Sequence, residues 1–225
     1  MNTDSSATAA PQKHLINRGL FALAILYGGM TTLAGVLGSK QVALGPLAVE
    51  SGIFAFLMLV ALSSAVAELY GRPTADRLVR FGFVPLITAI LLTWVVIQLP
   101  TDEGMYEPAK EAFPIILGQS GRLMAAGIVA YGVSMTLNVL IFERLSRRGG
   151  GLVGVRAAVA SMVSQIVDTL IFITVAFYGV RPIGDLILGQ ALAKVVLSIV
   201  LVPLLIMLFV AVARKLDRPA GWKAL

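Results

Sequence analysis

The chain has 225 residues, of which 58% are hydrophobic and only 13% are charged, and its mean hydropathy is +0.90. About a quarter of the residues in soluble domains are charged, so this composition excludes a soluble helical protein and indicates an integral membrane protein. The net charge of +6 does not indicate a nucleic-acid partner, because the Lys and Arg residues cluster in short segments between apolar runs, as in proteins oriented by a lipid bilayer.

Six apolar segments of about 20 residues, the length that crosses a bilayer, predict an all-α bundle of six transmembrane helices. They cover residues 18–37, 47–67, 83–99, 123–142, 157–178 and 185–212. Residues 1–14 are predicted to be a disordered tail, residues 15–213 the transmembrane domain, and residues 214–225 a C-terminal tail. Pro85 and Pro203 fall inside spans, where neighbouring helices can satisfy the backbone groups that proline frees.

The loop charges predict which side of the membrane each end of the bundle faces. Basic residues flank the spans on the side that holds both termini: Lys13, Arg18, Arg72, Arg77, Arg80, Arg144, Arg147, Arg148, Arg156, Arg214, Lys215, Arg218 and Lys223. The loops on the other side carry Lys40, Lys110 and Arg181 beside the acids Asp102, Glu103, Glu107 and Glu111. Since cytoplasmic loops are enriched in Lys and Arg, both termini are predicted to be cytoplasmic.

The stretch "SQIVDTLIF", residues 164–172, places Asp168 near the centre of the fifth span. Insertion scales put the free-energy cost of a central Asp at about 2.5–3.5 kcal/mol, so such a residue usually faces a cavity or a partner. Spacings of three and four residues put the polar side chains on one helix face together with Phe172. That face comprises Ser161, Ser164, Gln165, Asp168 and Phe172, and it is predicted to line the bundle interior.

Lys194 is a second deep charge, roughly level with Asp168 by residue counting along the sixth span. Two interpretations stay open. The two residues could form a buried ion pair that only fixes helix packing, since desolvation offsets much of the attraction in such pairs. Alternatively, one or both could face a substrate cavity.

Three further residues are candidates for the site. Glu68 opens "ELYGR" at the end of the second span and either binds ligand or pairs with Arg72 in a solvated loop. Arg122 starts the fourth span and either snorkels to lipid headgroups or captures an incoming anion or carbonyl. Asn138 forms a polar stripe with Ser134, and counting at 1.5 Å per residue places it roughly 9 Å from Asp168 in depth.

No catalytic motif supports an enzyme. "GQSG", residues 118–121, resembles the nucleophile motif of rhomboid proteases, but Ser120 would need a histidine base, and the only histidine is His14 in the N-terminal tail. The chain has no cysteine and no HExxH, GxSxG or P-loop motif. We therefore expect neither catalysis nor a cofactor, and a helical bundle with polar groups at mid-depth is typical of a transporter or channel.

Four segments resemble the vitamin uptake transporter family, which includes the queuosine precursor transporters. "SQIVDTLIFITVAFYG" (164–179) resembles the family signature, and "ELYGR" (68–72) resembles its Glu-x-Tyr-Gly motif. "GRLMAAGIVAYGVSMTLNVLIF" (121–142) resembles the Arg-led fourth span, and "GQALAKVVLSIVLVP" (189–203) the Lys-containing last span. The chain departs from the family pattern at Ser64, Met135 and Asn138, where relatives often carry Asp, Gln and Asp.

The resemblance implies a bundle similar to the substrate-binding subunits of energy-coupling factor vitamin importers. It also implies import of 7-deazaguanine bases, the 7-cyano and 7-aminomethyl precursors of queuosine, across the inner membrane. A guanine-like edge offers two donors that suit one carboxylate, which we assign to Asp168. The complete predicted set of substrate-binding residues is Asp168, Gln165, Ser164, Asn138, Lys194, Glu68 and Arg122, with Phe172 or Tyr131 stacking on the base.

Alternatives remain open at this point. The same fold suits import of another flat, vitamin-like molecule, and a non-transporting membrane scaffold would need the Asp168–Lys194 pair only for packing. Proton coupling, facilitated diffusion with metabolic trapping and an external coupling ATPase are all compatible with the sequence. A homo-oligomer is also compatible with it.

Overall fold

The computed structural model describes residues 17–44, 47–118, 121–147, 152–179 and 183–218. The predicted N-terminal tail, Ser120 and most of the C-terminal tail lie outside these residues. Within them the chain forms α1 (Arg18–Leu37), β1 (Gln41–Leu44), β2 (Leu47–Glu50), α2 (Gly52–Tyr70), α3 (Arg72–Gln98), α4 (Glu107–Leu117), α5 (Gly121–Arg147), α6 (Val153–Phe177) and α7 (Gly184–Asp217). Among the described helices, six are long and apolar enough to cross a membrane: α1, α2, α3, α5, α6 and α7. The prediction of a helical, six-span, multi-pass membrane protein is thereby confirmed.

A β-hairpin between α1 and α2 corrects the predicted start of the second span. Residues 47–50 form β2, which pairs antiparallel with β1 so that Val42 faces Val49, and α2 begins only at Gly52. The hairpin is anchored to α1, because the Ser51 hydroxyl donates to the Leu37 carbonyl at 2.5 Å. The Gly-Pro dipeptide at residues 45–46 is a turn signal between two short apolar runs, whereas a count of apolar residues alone runs through it.

The predicted start of the third span was also wrong, because α3 begins at Arg72 rather than near residue 83. Gly71 joins α2 directly to α3 and has a φ of +80°, a conformation that side chains other than glycine seldom adopt. Pro73 then lies in the first turn of α3, where its missing N–H has no helical partner to lose. The arginines expected in a loop therefore lie on the first turns of a helix.

The short helix α4 was not predicted. It carries Glu107 in its first turn and a proline next to it, both of which favour helix starts. Lys110 pairs with Glu107 at 2.9 Å, and Phe113 and Ile115 on the same helix are exposed. With 11 residues, α4 is too short to span a bilayer and lies between two spans that do.

The bundle has two ends, which hold different features. At the termini end α1 begins and α7 ends, and Asp217 accepts hydrogen bonds from the Gly19 backbone at 2.7 Å and the Tyr70 hydroxyl at 2.6 Å. At the opposite end, the hairpin end, lie the β-hairpin, α4 and the start of α5. Of the six spans, α2 is the most buried and α3 the least, so α2 forms the centre against which the other spans pack.

Candidate functional site

A cavity of about 200 Å³ lies among the spans on the hairpin side of the bundle centre. Gly38, Glu50 and Gly52 line the part of the cavity nearest the hairpin end, which we take as its mouth, while Asp168 and Lys194 line it further from that end. The remaining wall is mainly apolar. The cavity therefore has a polar floor and an apolar wall, the usual composition of a small-molecule site.

Asp168 and Lys194 lie together on the floor of this cavity. Lys194 Nζ lies 2.9 Å from Asp168 Oδ2, and the two side chains are 13% and 8% exposed. The Ser134 hydroxyl donates to Asp168 Oδ1 at 3.2 Å, so α5, α6 and α7 meet at this carboxylate. The two interpretations left open by the sequence are thus not exclusive, since the residues form an ion pair and also line a cavity.

Both charged groups retain hydrogen-bonding capacity. Each carboxylate oxygen has two lone pairs, and an ammonium has three N–H donors, of which Asp168 receives one. A ligand at the floor would therefore meet an acceptor and a donor side by side. Additional hydrogen bonds stabilise buried charges of this kind.

Aromatic rings border the same floor. Phe56, Tyr131 and Phe172 line the cavity, and the ring of Phe56 lies 5.9 Å from Lys194 Nζ, within cation–π range. The ring of Tyr131 is held in place at its far edge, where its hydroxyl donates to the Val79 carbonyl at 3.1 Å and lies 2.9 Å from the Tyr27 hydroxyl. The cavity thus offers a preset aromatic surface beside the charged pair.

The polar face predicted on the fifth span is buried. Ser161, Ser164, Gln165 and Asp168 are all buried, and Phe172 lines the cavity. The Ser164 hydroxyl donates to the Ser161 carbonyl on its own helix at 3.0 Å, and the Ser161 hydroxyl donates to Ser198 at 3.0 Å. The prediction that this face lines the bundle interior is confirmed.

Asn138 lies one turn from Ser134 on α5 and contacts α2 rather than Asp168. Its amide nitrogen lies 3.1 Å from the Ser63 hydroxyl, 3.2 Å from the Ser64 hydroxyl and 3.4 Å from a backbone carbonyl of α2. The residue of α5 that bonds Asp168 is Ser134. The serines of α2 were missed as partners, because nothing in the sequence indicates which helix faces Asn138.

Glu68 and Arg122 do not line the cavity. Arg156 on α6 donates to both carboxylate oxygens of Glu68, at 3.2 and 3.0 Å, whereas Arg72 pairs with Asp76 at 3.1 Å and Glu143 at 2.8 Å. The alternative that Glu68 pairs with Arg72 is therefore wrong. The Glu68–Arg156 pair lies at the termini end, where it joins α2 to α6.

Arg122 instead closes the far end of α6. Its guanidinium donates to the carbonyls of Val175 and Tyr178, both at 2.6 Å. The last carbonyls of a helix lack intrahelical partners, and a basic side chain is a favourable partner for them.

Among the described residues, no three His, Cys, Asp or Glu side chains lie close enough together to hold a metal ion.

Comparison with known proteins adds a family to this geometry. The sequence profile described as "Putative vitamin uptake transporter" matches residues 50–208, a range that includes both residues of the ion pair and every other predicted site residue. The "Probable queuosine precursor transporter" of Bacillus subtilis (strain 168) is 26% identical to the chain over 191 residues, which cover 82% of each protein. No solved structure matches the chain.

Proposed function

Because the chain belongs to the vitamin uptake transporter family, we propose that it imports queuosine precursors, the 7-cyano- and 7-aminomethyl-7-deazaguanine bases, across the cell inner membrane for salvage into tRNA modification. The similarity to a protein named as a queuosine precursor transporter supports this substrate class. The observation that carries the proposal is the Asp168–Lys194 pair on the floor of a cavity with aromatic walls.

The pair is complementary to a guanine-like edge. Such an edge presents an N1–H and an exocyclic amine as donors next to a 6-oxo acceptor. In our proposal the carboxylate of Asp168 accepts from the two donors while the ammonium of Lys194 donates to the oxo group. An edge with an amino group in place of the oxo group cannot accept a hydrogen bond from the Lys194 ammonium. It therefore loses a charge-assisted hydrogen bond, which is roughly twice as strong as a neutral one.

The shape and size of the cavity support a compact flat ligand. Phe172, Tyr131 and Phe56 border the pair, and a fused-ring base would stack on one of these rings. The volume of about 200 Å³ is below the roughly 300–1,000 Å³ typical of drug-sized sites. A two-ring base therefore suits the cavity better than a large vitamin with a long substituent.

The loop charges support an importing orientation. With the arginine-rich termini end in the cytoplasm, the cavity mouth at the hairpin end faces the outside and receives ligand there. We propose that the bundle works like the substrate-binding subunits of energy-coupling factor importers. Gln165, Ser164 and Asn138 then lie on the cytoplasmic side of the pair, while Glu68 and Arg122 influence binding only through the helix ends that they hold.

One observation favours a second candidate function. The 2.9 Å ion pair between α6 and α7 is also what a non-transporting scaffold would use to fix its packing. The charge-reversed double variant Asp168→Lys with Lys194→Asp distinguishes the two. A scaffold should tolerate the reversal, whereas a site that presents an acceptor and a donor in a fixed order should lose its ligand.

The deciding experiment is uptake in cells that cannot make queuosine. The cells express the chain, receive 7-cyano-7-deazaguanine, and are scored for queuosine in their tRNA. We expect the modification to appear with the unaltered chain and to be lost with Asp168→Asn at equal membrane abundance. Unchanged modification in the Asp168→Asn cells would remove Asp168 from the site.

A further inference from the structure

Three fully buried side chains on α5 and α6 carry polar atoms that no group in the described part of the chain satisfies. Gln165 lacks a partner for both amide atoms, Asn138 for Oδ1, and Thr169 for Oγ1. All three residues have 0% exposure. Nearly all buried polar atoms in folded proteins have a hydrogen-bond partner, so these atoms have hydrogen-bonding capacity for a polar molecule that the chain itself does not supply.

These atoms lie beside and behind the Asp168–Lys194 pair. Thr169 follows Asp168 in α6 and is level with the pair, about 1.5 Å towards the hairpin end, and Gln165 lies one turn from Thr169 towards the termini end. On α5, which runs antiparallel to α6, Asn138 lies one turn beyond Ser134, the residue that bonds Asp168. The inner layer, as we call Gln165, Thr169 and Asn138, therefore extends from the pair by about one helical turn, roughly 5 Å, away from the cavity mouth.

The inner layer is neutral, in contrast to the pair in front of it. The amide of Gln165 offers an acceptor next to two donors, Asn138 Oδ1 is an acceptor, and the Thr169 hydroxyl is both. An amide forms two parallel hydrogen bonds with the N–H and C=O of a lactam. The chemistry of the layer thus suits an uncharged heterocycle with such an edge rather than an ion.

We propose that the inner layer is a second station for the transported base, occupied after the base leaves Asp168 and Lys194 and before it reaches the termini end. The inference rests on the proposed function. Because neutral hydrogen bonds are weaker than charge-assisted ones, the outer pair provides tight and selective capture, and the inner layer holds the base loosely enough for release. The Glu68–Arg156 pair lies further along the same path.

The test separates binding from transport. Equilibrium binding of radiolabelled 7-cyano-7-deazaguanine is measured on the full chain in nanodiscs, and initial uptake is measured in proteoliposomes. The variants Gln165→Met and Thr169→Val remove the unsatisfied groups with little change in shape. We expect both to bind within about threefold of the unaltered chain and to take up the base at least about tenfold more slowly.

Two controls accompany these variants. Thr174→Val makes the same change on the exposed side of α6 and is expected to leave uptake unchanged. Thr169→Ser keeps the hydroxyl and is expected to retain most of the uptake, which distinguishes loss of the hydrogen bond from loss of folding in Thr169→Val.

Two results would overturn the inference. Normal uptake by both inner-layer variants would show that the layer has no part in transport. Loss of binding together with uptake, at an unchanged unfolding temperature, would show one site rather than two. Failure of the proposed function has a different signature, because the unaltered chain itself would then neither bind nor take up the base.

Discussion

Lys194 on α7 and Asp168 on α6 form an ion pair, with 2.9 Å between Lys194 Nζ and Asp168 Oδ2, and both residues line the cavity. The pair therefore joins two neighbouring spans and also presents charge to any molecule in the cavity. Stability and ligand binding depend on the same two groups, so single substitutions alter both. The first prediction is designed to separate the two effects.

Lys194→Met alone should destabilise the bundle by about 3 kcal/mol, the lower end of the range for a broken buried pair, because the cavity limits the desolvation of Asp168. The double variant Asp168→Asn with Lys194→Met removes both charges and should restore most of this stability. It should still fail to take up 7-cyano-7-deazaguanine. Thermal unfolding in detergent and uptake in proteoliposomes measure the two properties separately, and a double variant that transports would assign the pair to packing alone.

The Glu68–Arg156 pair should contribute to stability more than a surface pair does. Arg156 donates to both oxygens of Glu68, its side chain is only 14% exposed, and it lies 5.5 Å from the ring of Phe142. Glu68→Gln leaves the guanidinium without a charged partner, so we expect a loss of about 2 kcal/mol, seen as a lower unfolding temperature.

A matched control for this variant lies on α4. Glu107 pairs with Lys110 at 2.9 Å, but its side chain is 74% exposed, and exposed pairs contribute about 1 kcal/mol or less. Glu107→Gln should therefore leave the unfolding temperature almost unchanged. Equal effects of the two substitutions would mean that the partial burial of Glu68 contributes nothing.

The sequence left two roles open for Arg122, snorkelling to lipid headgroups and capture of an incoming anion or carbonyl. The structure gives it a third, and a substitution distinguishes this role from substrate capture. Its guanidinium donates to two carbonyls at the end of α6. We expect Arg122→Gln to destabilise the protein by about 1 kcal/mol or less, the usual contribution of a cation at a helix C-terminus, and to leave the binding affinity for the base nearly unchanged. A large loss of affinity at normal stability would instead support direct capture of the substrate by Arg122.

The sequence allowed the spans and the polar face of α6 to be predicted because both are local signals. An apolar run of membrane length and a spacing of three and four residues need no knowledge of neighbouring helices. The partners of Asp168 and Asn138 were not predictable in this way. Ser134 bonds Asp168 and Ser63 bonds Asn138 only because of how α5 packs on α6 and α2.

The same distinction explains what was missed. A short turn sequence sets the β-hairpin, and Gly71 sets the start of α3. A hydropathy window averages both signals away. The unsatisfied amide of Gln165 is a property of the assembled interior, since it depends on what every adjacent helix fails to offer. Thr169 was missed although it lies one turn from Gln165, because threonine is common in apolar spans and its position alone indicates no role.

Gly82 gives the last prediction, which links packing to the cavity wall. A Cβ at this position in α3 would overlap the Tyr131 hydroxyl and the ring of Tyr27. These two tyrosines hydrogen-bond each other at the place where α3 approaches α1 and α5. Gly82→Ala should therefore push the Tyr131 ring towards the cavity, destabilise the protein by about 1–2 kcal/mol in net terms and slow uptake of the base.

Gly29→Ala is the matched control, because a Cβ there has no neighbouring atom within 4 Å. It makes the same change inside a helix and should stabilise the protein by up to about 1 kcal/mol through helix propensity. The variant Gly82→Ala with Tyr131→Phe removes the hydroxyl that the new methyl group would meet. If the overlap is the cause, this double variant should recover part of the lost stability, and failure to recover any would place the defect of Gly82→Ala elsewhere in α3.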